Sequence, residues 1–95
     1  MAAYIIATVQ ILDPERFAEY TKSIAGLNKA HGGEPVVSGP VSEYLEGGVD
    51  GGERVVVVRF PDADAARGYI RSARYQEAKA KREGAAVVTM RIVEA

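Results

Sequence analysis

Residues 4–12 read YIIATVQIL, a run dominated by apolar, β-branched and aromatic side chains. It is too short for a membrane-crossing helix and predicts a strand. The pattern changes after Asp13-Pro14, where Phe17, Tyr20, Ile24, Leu27 and His31 follow at alternating steps of three and four. Such spacing describes one face of a helix reaching about residue 31. Asp13 can accept the first unpaired backbone N–H groups, and proline in the first turn loses no needed donor. Gly32-Gly33 ends the helix, because glycine enters the left-handed conformation at little steric cost. A second extended stretch covers 35–46, and Gly39 and Pro40 inside it predict a bulge or a sheet edge. The GGVDGG loop at 47–52 turns the chain back, and ERVVVVRF at 53–60 predicts a strand. Beyond Pro61, Asp62 caps another helix. Ser72 can cap a second piece, which predicts a break near 71–73. Gly84 stops the helix and 87–94 forms the last strand. The order is β-α-β-β-α-β, an α+β ferredoxin-like fold with an antiparallel sheet and one domain over 1–95.

Strand side chains alternate between faces, so each strand divides into two sets. Ile5, Ala7, Val9 and Ile11, with Val56, Val58 and Phe60 and with Val88, Met90 and Ile92, should sit under the helices. The other face carries Tyr4, Ile6, Thr8 and Gln10, then Val55, Val57 and Arg59, then Val87, Thr89, Arg91 and Val93. This second set is too apolar for bulk water and too polar for a dry core. A half-wet interface between two sheets, making a homodimer, suits it. A monomer that tolerates scattered exposed valines is the alternative.

Composition narrows the field. Twelve basic and thirteen acidic side chains leave a formal net charge of -1, so no global field favours nucleic acid or an anionic membrane. The absence of cysteine removes disulfides, thiolate nucleophiles and cysteine-zinc sites. The N-terminal stretch has neither a basic n-region nor a clear cleavage site, which leads us to expect a cytoplasmic protein of bacterial style.

Several stretches together resemble one family: YIIATVQILDPERFAEY, the helix end AHGG, the segment YLEG, and RFPDADAARGYIRSARYQEAKAKR before a strand ending in VEA. The chain is similar over nearly its whole length to the domain-of-unknown-function 1330 (DUF1330) family. The resemblance implies a dimeric α+β barrel and supplies no reaction. The wider superfamily is similar to cofactor-free monooxygenases, muconolactone-type isomerases and ligand-binding dimers, an analogy of fold alone. Arg59 stands where many relatives carry glutamate before Phe-Pro. Gly68-Tyr69 replaces a tryptophan, Arg71-Ser72-Ala73-Arg74 replaces an Asp-Ser-Pro-Glu break, and the tryptophan expected near the glycine-rich loop is missing. Any ligand pocket of the family is altered here in charge and shape.

His31, the one histidine, can exchange a proton near neutral pH and is the candidate catalytic group. As the last residue of a helix it can equally serve as a cap interacting with the final carbonyls. Tyr20 and Tyr75 can bind a ligand through their hydroxyls, or can be core residues with a polar tip. Arg59 and Arg91 can clamp an anionic ligand, or pair across a dimer with Glu43, Glu46 or Glu94. Arg82, near a helix end, is expected to oppose the dipole. The basic run at 67–82 reads as a solvated helix face rather than a nucleic-acid site. Glu15 and Glu19 have ordinary helical spacing and make no metal motif, and no glycine pair fits a phosphate or dinucleotide loop. The residues imply no cofactor.

Two functions remain. One is a small-molecule-handling dimer, acting as a cofactor-independent oxygenase or isomerase on a small aromatic or carbonyl compound. The other is a non-catalytic structural or interaction dimer. A pocket of several hundred cubic ångströms beside His31 would favour the first, and a filled core with His31 bonded only to backbone the second.

Overall fold

The structure is a computed structural model describing residues 1–95. Its elements are β1 (Ala3–Ile11), α1 (Pro14–Ser23), α2 (Leu27–Ala30), β2 (Glu34–Pro40), β3 (Arg54–Phe60), α3 (Ala63–Arg71), α4 (Ala73–Arg82) and β4 (Ala86–Glu94). The strands form one sheet in the order β2-β3-β1-β4, and every neighbouring pair is antiparallel. This is the ferredoxin-like split β-α-β arrangement. No helix is long and apolar enough to cross a membrane.

The caps act as their residue types require. Asp13 accepts from the Arg16 N–H, Asp62 from the Ala65 N–H and Ser72 Oγ from the Tyr75 N–H. Ser72 both ends α3 and starts α4, so the expected break lies there. The first helix differs from the continuous one its spacing predicts. It stops at Ser23, and a short α2 resumes after Gly26, whose φ of 77° lies in the left-handed region. A glycine in that conformation cannot continue a right-handed helix, yet the stripe survives because Leu27 is still buried. The Gly32-Gly33 pair works in two ways. Gly32 takes a φ of 84°. At Gly33 an added Cβ would come within 2.8 Å of the Asn28 carbonyl and 2.9 Å of the Phe60 ring.

β2 is an edge strand, as its two prolines require. The irregularity falls between Pro35 and Val37 rather than at Gly39. β2 also ends at Pro40, shorter than the 35–46 stretch expected, after which the Val41 N–H to Glu53 carbonyl bond closes the pairing. The loop that follows holds Gly47, Gly48, Gly51 and Gly52 at positive φ.

The two faces divide as alternation dictates except near strand ends, where Ile11 and Ile92, expected under the helices, stay 36% and 37% exposed. Ala3, Ile5, Ala7, Val9, Val58 and Phe60 are buried beneath the helices with Tyr20, Leu27, Ala66, Tyr69, Tyr75 and Ala78. On the open face, register sets Ile6 beside Val57 and Arg91, Thr8 beside Val55 and Thr89, and Gln10 beside Val87. Val87 and Val93 remain 54% and 40% exposed, so this face stays apolar and uncovered within one chain.

Candidate functional site

The helical layer does not rest evenly on the sheet. A cavity of about 420 Å³ lies beneath α1, with 13 of its 18 lining residues hydrophobic. Ile5, Ala7 and Val9 form part of its floor, and Phe17, Ala18 and Ile24 lie on the α1 side. Its size falls within the range of small-molecule sites. The polar lining comprises Thr21, Ser38, Arg54 and Arg82, together with the Tyr20 and Tyr69 phenols.

Tyr20 comes from α1, Tyr75 and Arg82 from α4, and Tyr69 from α3; packing of these helices brings them together. The Tyr20 and Tyr75 hydroxyls lie 3.1 Å apart. Arg82 Nη1 donates to Tyr75 Oη at 2.8 Å, and the Arg82 guanidinium lies 4.8 Å from the centre of the Tyr20 ring. Tyr75 is only 1% exposed and meets Tyr69 edge-on, with ring centres 5.1 Å apart. Burial, reinforced by Tyr75, pushes the Tyr20 hydroxyl well above the usual phenol range. Burial likewise pushes Tyr69 up to about 12, against a smaller opposing pull from Arg82. Burial alone would weaken the hold of Arg82 on its proton, but the hydrogen bond to Tyr75 and the nearby phenols outweigh it, so its pKa is raised. The result is a cation and a protonated phenol at the edge of an apolar hollow.

The candidates read from the chain separate accordingly. Tyr20 lines the cavity and Tyr75 stands behind it, holding Tyr20 and Arg82. Arg59 is exposed on the open sheet face, opposite Tyr4 and Glu34, and lines no part of the cavity. His31 is the half-buried C-cap of α2, and its backbone N–H bonds the Asn28 carbonyl. Its ring centre is 6.1 Å from that of Tyr69, and it too is outside the cavity lining.

Arg82 corrects the simple dipole reading: its guanidinium turns inward to Tyr75. One signal in the chain pointed that way, since Tyr75 and Arg82 are seven residues apart and so share a helix face. Arg54 and Ser38 had no such signal, because only strand pairing carries them to the cavity.

A family comparison adds a membership to this geometry. A model described as a domain of unknown function, DUF1330, matches residues 2–95. The chain belongs to the DUF1330 family. No curated protein matches this DUF1330 sequence. Among solved structures, a protein of unknown function from Rhodopseudomonas palustris is similar with a TM-score of 0.80 and 21% identity, over 99% of this chain and 82% of the other. A dimeric ferredoxin-like protein of unknown function from Jannaschia sp. gives 0.79 and 15%, over 100% of both chains. SnoaB, a cofactor-independent oxygenase from Streptomyces nogalater, gives 0.70 and 13%, over 99% of this chain and 92% of its own. At these identities the likeness is one of fold.

Proposed function

We propose that this DUF1330 protein is a homodimer joined through its open sheet face, in which each subunit takes a small aromatic or carbonyl compound into the cavity beneath α1 and converts it without a cofactor, as an oxygenase or isomerase. The observation that carries the reading is the cavity itself: an apolar hollow of about 420 Å³ with hydrogen-bonding groups confined to a few positions. Apolar walls reward burial of a ring, while a few polar groups set its orientation. Tyr20 keeps its proton and so can donate to a substrate oxygen, with Tyr75 as the positioning residue behind it. The fold shared with SnoaB supports cofactor-free chemistry by analogy. In this reading His31 caps its helix and Arg59 belongs to the dimer face.

Two measurements test it. With 2-acetylnaphthalene as probe, methyl NMR signals of Ile5, Val88 and Met90 in the cavity are expected to shift, while those of Val87 and Val93 on the open face stay in place. Ala7→Phe, which fills the floor, should abolish the shifts, and His31→Asn should leave them unchanged. An absence of cavity shifts with this and related ketones and phenols would favour a non-catalytic dimer. Light scattering should give a mass twice that of the 10.2 kDa chain, and Val57→Arg on the open face should give monomers. A wild-type monomer at micromolar concentration would remove the dimer from the proposal.

A further inference from the structure

We infer that the cavity's ligand is an organic anion whose charged oxygen sits on Arg82 and the Tyr20 hydroxyl. The inference rests on the reading of the cavity as a ligand site and specifies the class of molecule it takes.

Arg82 has five N–H donors; one of them reaches Tyr75 Oη at 2.8 Å, and the guanidinium also lies against the Tyr20 ring. The chain's one ion pair is Arg67–Asp64 on the outer surface of α3, so no carboxylate balances Arg82. A half-buried guanidinium facing an apolar hollow therefore keeps unspent donors, and its charge is met by the Tyr20 and Tyr75 ring faces but by no carboxylate. Such groups are costly to leave unpaired in a poorly solvated site.

The hydroxyls extend the same polarity. Tyr75 Oη accepts from Arg82, which strengthens its own O–H as a donor. The acceptors for that hydrogen are Tyr20 Oη at 3.1 Å and the Met90 sulfur at 3.8 Å. A phenol oxygen at the shorter distance is the better acceptor. Either hydroxyl can donate at this distance, and a ligand that accepts from Tyr20 selects the arrangement in which Tyr75 donates to Tyr20 and the Tyr20 hydrogen turns to the cavity. The relay Arg82 to Tyr75 to Tyr20 thus offers the cavity N–H and O–H donors, and no carboxylate lies among the lining residues. A neutral amide could use the Thr21 and Ser38 hydroxyls as acceptors but would leave the Arg82 charge without a counter-charge. A carboxylate, phenolate or enolate oxygen would satisfy both donors and the charge.

The test compares two ligands of nearly equal shape, 1-naphthoate and 1-naphthamide, by calorimetry at fixed ionic strength. The wild-type protein is expected to bind the naphthoate at least tenfold more tightly. Arg82→Gln should erase that preference while the amide still binds; Arg82→Lys should restore part of it, and Arg59→Gln, on the open sheet face, should leave it intact. Equal affinities in the wild type would overturn the anion inference and leave the cavity as a ligand site. Loss of preference in Arg54→Gln but not in Arg82→Gln would overturn the choice of anchor. Failure of both compounds to bind would overturn the cavity reading and this inference with it. The wild-type comparison needs no variant, so a poorly folding Arg82→Gln does not decide the outcome.

Discussion

Tyr75→Ala is expected to lower unfolding stability by about 3–5 kcal/mol, the cost of truncating a fully buried aromatic. The ring is 1% exposed and lies edge-on to both Tyr20 and Tyr69, so its removal opens a void at the junction of three helices. Arg82 loses its acceptor at the same time. Stabilities of about 5–15 kcal/mol are usual for whole proteins, so the loss would take much of the margin. Tyr75→Phe keeps the ring and forfeits only the hydroxyl, an expected loss of about 1.5–3 kcal/mol because the partner is charged. Urea unfolding of both variants at one protein concentration checks the ordering. A Tyr75→Ala protein within about 1 kcal/mol of wild type would show that the ring can be lost without leaving a void, contrary to its placement.

The second large effect is a loss of stability in alkali. Burial raises Tyr20 and Tyr69 above the ordinary phenol value of about 10. Below pH 10 the folded and unfolded chains both keep these protons, and the stability is fully present. Above it the unfolded chain releases them first, so stability falls, for Tyr69 through about pH 12 and for Tyr20 beyond. Each phenol contributes a slope of up to about 1.4 kcal/mol per pH unit. Tyr20→Phe isolates one of them. At pH 8 the variant should be less stable by about 1 kcal/mol through its lost hydrogen bond. The gap should close and then reverse as pH climbs past 10, because phenylalanine has no proton to lose. A gap that stays constant from pH 8 to 11.5 would mean that Tyr20 ionises as readily folded as unfolded. Absorbance at 295 nm provides a check, with Tyr20 and Tyr69 lagging the ordinary phenol titration.

These predictions turn on residues whose roles were unequally legible in the chain. Tyr20 was visible as a member of the Phe17 to Leu27 stripe, and Tyr75 as a candidate three residues after a capping serine. Neither position reveals that the two hydroxyls meet, because they lie 55 residues apart. His31 was drawn toward function by being the lone histidine. The structure places it at a helix end, outside the cavity, with Tyr69 as its aromatic neighbour. The break at Gly26 was concealed by a hydrophobic stripe that continues across it, since a side-chain pattern tolerates a local change of backbone that preserves its direction.

By itself, the sequence determined the β-α-β-β-α-β order, the Asp13, Asp62 and Ser72 caps, and most of the strand residues that face the helices, but not the stop at Ser23 or the end of β2 at Pro40. Those properties follow from short-range rules: an Asp or Ser accepting from an N–H three residues on, a glycine entering positive φ, a period of two or 3.6. Only the tertiary structure decided that a cavity opens beneath α1 and that Arg82 turns toward Tyr75 and Tyr20. A cavity is what remains after side chains from all the strands and three helices have been packed, so no local pattern encodes its volume. The partner of the half-buried Arg82 is likewise chosen by the angle at which two helices meet.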